Sequence, residues 1–154
     1  MANRGEIAVR VMRTCRDLGI ATVAVYSDVD RTAMHVRLAD EAYPIGTAPP
    51  GDSYLRIDRL VEVAKRSGCD ALHPGYGFLA ESAAFAQAVV DAGLVFVGPP
   101  ASVQSALGSK TEARRIAAKA GVPVAEGTMD PVTDVAEARR VGERIGYPLL
   151  LKPA

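Results

Sequence analysis

Apolar side chains recur at helical spacing in several stretches of this chain, and short apolar runs lie between those stretches. The helical spacing predicts helices over residues 5–18, 35–38, 57–68 and 85–90. Gly19, Gly68 and Gly93 stand where these helices would end, as C-terminal cap glycines do. The apolar runs predict strands over residues 22–26, 41–45, 71–72 and 94–97.

Strands that alternate with helices over short connections are typical of a parallel sheet with helices on both faces. We therefore predict an α/β fold with a doubly wound parallel sheet. Ligands of such sheets bind at the carboxyl ends of the strands, where Ser27–Asp30 and His73–Ser82 would lie. No strand precedes the turn at Asn3–Ile7, so we expect the sheet to lack its first strand.

The pattern changes after Pro100, and a second domain is expected to begin near Gly108. We predict helices over residues 102–107 and 111–120, and a third from the N-cap Asp134, with Glu137 at the capping-box position, to Ile145. Leu149–Lys152 is expected to start a strand. The predicted domains are residues 1–107 and an incomplete domain over residues 108–154.

Charge and composition exclude several classes of partner. Eighteen basic residues balance eighteen acidic ones, which predicts no binding of nucleic acid or of an anionic membrane surface. The apolar runs are far shorter than the roughly 20 residues of a membrane span. Cys15 and Cys69 lack the spacing of a metal or redox site, so we interpret them as reduced core residues. These features predict a soluble, cytoplasmic protein.

The stretch His73–Ser82 concentrates polar and conformationally special residues in one strand-to-helix turn. Gly75 and Gly77 can adopt positive φ and allow a ligand to approach the backbone, while Pro74 removes a backbone donor. This combination indicates a ligand site, although a purely structural turn has the same local features.

Four motifs together resemble the biotin carboxylase family, the ATP-dependent subunits or domains of acetyl-CoA, propionyl-CoA and pyruvate carboxylases. The motifs are Ala2–Ala8, His73–Leu79, Val97–Pro99 and Gly121–Pro123. The resemblance covers essentially the whole chain and implies the N-terminal domain of that family followed by the beginning of an ATP-grasp domain.

The resemblance implies ATP-driven carboxylation of biotin on a carrier protein, with bicarbonate as the carbon source and magnesium or manganese bound with ATP. The implied partners are a second copy in a homodimer, a biotin carboxyl carrier protein or domain, and a carboxyltransferase subunit. An acyl-CoA carboxylase of the acetyl-CoA or propionyl-CoA type is the expected context, and the choice between an acyl-CoA and pyruvate as final acceptor belongs to a separate domain or subunit.

Carried over residue by residue, the resemblance assigns Lys110 and Lys152 to ATP, and Tyr76 and Gly77 to the side that faces biotin and bicarbonate. A lysine suits phosphate oxygens as a compact charge, and an aromatic face suits a flat bicycle. His73 is expected to hold its turn by hydrogen bonding rather than to act as a base. We assign no catalytic residue and no metal ligand within this chain, and expect it to be inactive alone.

Alternatives remain at this stage. The first-helix face with Arg10, Arg13 and Asp17 is either a solvated surface or, as in the family, part of a dimer interface. The chain could be a non-catalytic piece that associates with a full-length carboxylase. It could also belong to another ATP-grasp ligase, such as a carbamoyl phosphate or purine-pathway enzyme. A simple dinucleotide-binding module is less favoured, because no Gly-x-Gly-x-x-Gly run follows a strand.

Overall fold

The structure is a computed structural model that describes residues 1–128 and 130–151, without the side chain of Lys110. The chain forms two compact units, Met1–Gln104 and Ser105–Ala154. In the first unit, helices alternate with strands: α1 (Gly5–Asp17), β1 (Val23–Ser27), α2 (Met34–Leu38), β2 (Glu41–Gly46), α3 (Ile57–Arg66), β3 (Ala71–Leu72), α4 (Ala83–Asp91) and β4 (Val95–Phe96). Helix α5 (Ala101–Leu107) follows and includes the division after Gln104. The predicted order is confirmed, with boundaries shifted by a few residues.

All four strands pair in parallel, which confirms the α/β class, but they form two separate pairs rather than one continuous sheet. β1 pairs with β2 in the register Val23 to Glu41, and β3 pairs with β4. Residues 1–3 link the two pairs: the Met1 ammonium donates to the Val23 carbonyl at 2.7 Å, and the Ala2 amide donates to the His73 carbonyl at 2.9 Å.

Helices cover both faces of β1, as expected for a doubly wound arrangement. Because successive strand residues point to opposite faces, Ala24 packs with Ala8 and Met12 of α1, while its neighbour Val25 joins the larger core with Phe85 of α4. Phe85 is fully buried, and burying such a side chain stabilises the fold by about 1.5–3 kcal/mol.

The second unit contains α6 (Lys110–Lys119) and α7 (Val135–Ile145). The predicted cap of α7 is confirmed, since the Asp134 side chain accepts from the Glu137 amide at 2.7 Å. The Glu137 carboxylate accepts from the amide of Thr133, one residue before the predicted partner, at 3.2 Å. Residues 149–151 have no regular structure, contrary to the predicted strand, because a strand requires a hydrogen-bonded neighbour. Lys152 lies outside the described residues.

Every helix in the described part of the chain is too short or too polar to cross a bilayer. Both cysteines are free and half-buried rather than fully buried, and Cys69 packs against the larger core.

Candidate functional site

The turn before α1 and the turn after β3 meet at the carboxyl ends of the strands. Asn3, which is 3% exposed, connects them: its Nδ2 amide donates to the carbonyl oxygens of Pro74 and Tyr76, both at 2.8 Å. Its Oδ1 accepts from the Arg4 amide at 2.8 Å. One buried side chain therefore satisfies backbone groups of both turns and fixes their spacing.

Gly75 shows why the second turn is glycine-rich. Its φ of +70° lies in the left-handed region, and a Cβ at this position would stand 2.8 Å from Nδ2 of Asn3. A side chain would therefore both strain the backbone and displace the amide that joins the turns.

His73 holds the same turn from within. Its Nδ1 accepts a hydrogen bond from the Gly75 amide at 3.0 Å, which is the structural role expected from the sequence. Burial, with a smaller effect of the charged amino terminus, lowers the pKa of His73. The neutral ring is therefore favoured, and a neutral Nδ1 can accept this bond.

Tyr76 and Gly77 are presented to the surface. Tyr76 is 61% exposed, and its hydroxyl donates to the Glu6 carboxylate at the first turn of α1. Gly77 has a φ of +65° and no atom near the position of a Cβ, so its backbone is bare on that side. The structure thus places both residues, which the resemblance assigned to a ligand, at the junction of the two turns.

A cleft of about 360 Å³ opens between these turns. Its walls come from both motifs: Asn3, Arg4, Gly5, Glu6, Ile7, Tyr76, Gly77 and Phe78. The volume is at the lower end of small-molecule sites, which span roughly 300–1,000 Å³. The walls combine two aromatic rings, one guanidinium and one carboxylate, so they suit a flat ligand with a few polar groups.

A buried polar cluster lies behind this cleft. The Asp30 carboxylate, at the end of β1, accepts from the Ser27 hydroxyl at 2.9 Å, from the Tyr54 hydroxyl at 2.7 Å and from the Arg4 guanidinium. Burial opposes the charge of Asp30, but the hydrogen bonds from Arg4, Tyr54 and Ser27 outweigh it and lower the pKa of the carboxyl. Burial and the bond to Asp30 raise the pKa of Tyr54 to about 12. The cluster is therefore an ion pair with a neutral phenol at neutral pH.

The role of Tyr54 was missed by the sequence analysis. Tyr54 is 2% exposed although it lies in a polar, glycine- and proline-rich loop without periodicity. The feature of the sequence that could have indicated its burial is that Tyr54 is the single aromatic residue in that loop. Ser27–Asp30 was placed correctly at a strand end, but its partners are distant in sequence and were not predicted.

The structure does not test the residues predicted to contact ATP. Lys110 begins α6 and follows the N-cap Ser109, but its side chain lies outside the described residues, as does the whole of Lys152.

On the face of α1, Arg10 donates to the Thr14 hydroxyl at 2.7 Å. Within residues 1–128 and 130–151, no three acidic, histidine or cysteine residues cluster as metal ligands would.

Comparisons with known proteins agree with the fold and the motifs. The sequence model of the biotin carboxylase N-terminal domain matches residues 1–104, and that of the carbamoyl-phosphate synthase L chain ATP-binding domain matches residues 109–154. These matches define an α/β domain followed by the beginning of an ATP-grasp domain. The chain belongs to the biotin carboxylase family.

Individual relatives are similar over nearly all of the chain. It is 51% identical to biotin carboxylase 1 of Bacillus subtilis, over 99% of this chain and 34% of that protein. It is also 51% identical to the biotin carboxylase of Halalkalibacterium halodurans, again over 99% of this chain and 34% of that protein. The chain thus spans about a third of the length of these relatives.

A solved structure of a biotin carboxylase domain is also similar to this chain. The biotin carboxylase domain dimer of Hydrogenobacter thermophilus 2-oxoglutarate carboxylase, in complex with MgADP, ADP and bicarbonate, superposes with a TM-score of 0.85. That match has 48% sequence identity and covers 96% of this chain and 32% of the other.

Proposed function

We propose that the protein containing this chain carboxylates biotin at the expense of ATP, with bicarbonate as the carbon source. In this proposal the cleft between the two turns faces the biotin ring and bicarbonate. The observation that carries it is the contact between the two family motifs, made by Asn3 across to the carbonyl of Tyr76. Similar domains contain bicarbonate or MgADP in their solved structures, which supports the choice of ligands.

Individual residues receive roles in this proposal. The Tyr76 ring would cover one face of the fused biotin rings, and the bare backbone of Gly77 would allow the ring system to approach. Lys110 and Lys152 would contact ATP phosphates as point charges. The domain division, residues 1–107 and 108–154, belongs to the same proposal.

Magnesium or manganese, bound with ATP, would neutralise phosphate charge when present. The described residues contain no carboxylate cluster for it, so we assign no metal ligand here and expect this chain alone not to turn over. The volume of the cleft and its combination of exposed aromatic surface with polar groups support biotin as its ligand in this proposal.

The proposed partners are a biotin carboxyl carrier protein or domain, a carboxyltransferase subunit, and a second copy that contacts the Arg10 face of α1. We propose an acyl-CoA carboxylase as the setting and the cytoplasm as the location. Carboxylases named for pyruvate, 2-oxoglutarate and methylcrotonoyl-CoA have similar levels of sequence identity to this chain, so identity does not distinguish between acceptors. The acceptor therefore has to be measured on the complex with its carboxyltransferase. Another ATP-grasp ligase is not favoured, because residues 1–104 match the biotin carboxylase N-terminal domain.

An exchange experiment tests the proposal. In it, this chain replaces the matching 34% of the Bacillus subtilis biotin carboxylase 1, and bicarbonate-dependent ATP hydrolysis is measured with free biotin. We expect turnover that biotin stimulates, and we expect Tyr76→Ala to lower kcat/KM for biotin by about tenfold, equivalent to about 1.4 kcal/mol. Val29→Ala, at a residue 68% exposed and outside the cleft, is the control and should have no effect. A folded exchange protein without biotin-stimulated hydrolysis would contradict the proposal.

A further inference from the structure

Phe78 has an unusual backbone conformation next to the proposed ligand residues. Among the described residues it is the one non-glycine residue with a positive φ, +47°. A bulky residue is disfavoured there and remains in that conformation only when its surroundings fix it. Phe78 directly follows Gly77, so whatever holds Phe78 also sets the position of Tyr76 and Gly77.

The ring of Tyr54 contacts Phe78. The two rings are stacked, with centroids 5.2 Å apart and an interplanar angle of 7°. Tyr54 is 2% exposed, whereas Phe78 is 38% exposed at the edge of the cleft. The buried ring therefore forms a fixed surface on which the more exposed ring lies.

The hydroxyl of Tyr54 is itself fixed at the end of β1. It donates to the Asp30 carboxylate at 2.7 Å and accepts from the Ser27 amide at 3.1 Å. Asp30 is held in turn by the Arg4 guanidinium, which also lies 5.9 Å from the centre of the Tyr54 ring. Arg4 belongs to the first turn and lines the cleft. The cluster thus connects Arg4 of the first turn to Phe78 of the second through the buried Asp30 and Tyr54.

We propose that Tyr54 is a positioning residue for the cleft. Its hydroxyl, bound to Asp30 and Ser27, orients the ring; the ring holds Phe78 in the left-handed region; and Phe78 sets the geometry of Tyr76 and Gly77. The ligand part of this inference rests on the proposed function. The backbone part does not, so the two can be tested separately.

The first test needs no ligand. In the full 154-residue chain, NMR coupling constants and backbone shifts of Phe78 report its φ. Tyr54→Phe keeps the ring and removes the hydroxyl, and we expect the Phe78 signals to move away from left-handed values or to broaden by exchange. Tyr43→Phe is the matched control, because that hydroxyl donates to the surface residue Glu41 and its ring packs against the same core.

The second test uses the exchange protein described above, with free biotin in bicarbonate buffer as the probe. We expect Tyr54→Phe to weaken biotin binding by about three- to tenfold, because the variant loses a hydrogen bond that preorganises the site. Tyr43→Phe should leave the biotin affinity unchanged. Phe78→Leu removes the stack from the exposed side and should weaken binding in the same direction, which provides a second variant if Tyr54→Phe does not fold.

The outcomes separate the two proposals. If the exchange protein shows no biotin-stimulated hydrolysis but Tyr54→Phe still alters the Phe78 backbone, the proposed function fails and the positioning role stands. Unchanged Phe78 signals in the folded Tyr54→Phe chain, with unchanged biotin affinity, would overturn the positioning role.

Discussion

The side-chain amide of Asn3 donates a hydrogen bond of 2.8 Å to the carbonyl of Tyr76, a residue 73 positions further along the chain. The same amide donates to Pro74, so two of the motifs that define the family are joined by one buried group. This relationship turns two separate sequence signals into one cleft, and most of the expected effects of mutation depend on it.

Replacing Asn3 by alanine should destabilise the first unit. Asn3→Ala removes a buried hydrogen bond to the Pro74 carbonyl and a partly buried one to the Tyr76 carbonyl, and a buried group left without its donor costs about 1–3 kcal/mol. We expect a loss of about 2–4 kcal/mol, measured by hydrogen exchange at buried amides of β1. Gln87→Ala is the control, because its amide bonds Asp91 on an exposed helix surface and should matter by less than about 0.5 kcal/mol.

Two glycine substitutions separate backbone strain from close contact. Gly75 and Gly93 both have left-handed φ, but only Gly75 has a neighbour, Nδ2 of Asn3, where a Cβ would go. Gly93→Ala should therefore cost about 1–2 kcal/mol, and Gly75→Ala about 1–3 kcal/mol more. Thermal unfolding of the two variants gives the comparison, and equal losses would show that Asn3 does not restrict this turn.

The local elements were predictable because their signals are local. The helical spacing before Gly19 predicted α1 to within one residue, and Asp134 was recognised as the N-cap of α7. The burial of Tyr54 was not predictable, because it depends on contacts with Asp30 and Phe78, which are far away in sequence.

The sheet shows the same limit at the level of the fold. Alternating helices and strands correctly indicated parallel pairing, yet the chain forms two strand pairs joined by residues 1–3. Hydrophobic patterns identify strands but do not report which backbone groups pair. The left-handed φ of Phe78 was equally hidden, since phenylalanine carries no turn signal of its own.

Acid should weaken the fold partly through Asp30. Its pKa in the folded chain is lowered, so the unfolded chain, with an Asp pKa of about 3.9, takes up the proton first as pH falls. The stability that the ionised carboxylate contributes is present at neutral pH, begins to decline near pH 4 and is lost as pH falls through the folded pKa. Asp30→Asn should therefore be less stable at pH 7 and show a shallower decline below about pH 4.5.

Urea unfolding from pH 7 to pH 3 checks this expectation. The lowered pKa values of His35 and His73 also reduce stability as pH falls below about 6.5. The His73 contribution is the same in both proteins, whereas the Asp30 charge raises the pKa of His35, so Asp30→Asn enlarges the His35 contribution. The effect of Asp30 itself is therefore compared in the slopes below about pH 4.5. Parallel curves for wild type and Asp30→Asn would show that Asp30 carries no pH-dependent stability.

The hydroxyl of Tyr76 and its ring should make separable contributions to the cleft. Tyr76→Phe removes the bond to Glu6 but keeps the aromatic surface, so we expect biotin affinity to change by less than about threefold. Tyr76→Ala removes the surface as well and should weaken binding by about tenfold or more. Isothermal titration with free biotin distinguishes the two variants, and equal losses would assign the effect to the hydroxyl instead.

We propose above that the turns at Asn3–Ile7 and His73–Leu79 form one binding cleft for biotin and bicarbonate. An NMR titration of the labelled exchange protein with free biotin in bicarbonate buffer shows whether biotin binds there. We expect biotin to shift the amide signals of Gly5, Tyr76, Gly77 and Phe78, which line the cleft, and we expect these shifts to disappear in Tyr76→Ala. Shifts confined to α3 and α4, or no shifts at saturating biotin, would contradict it.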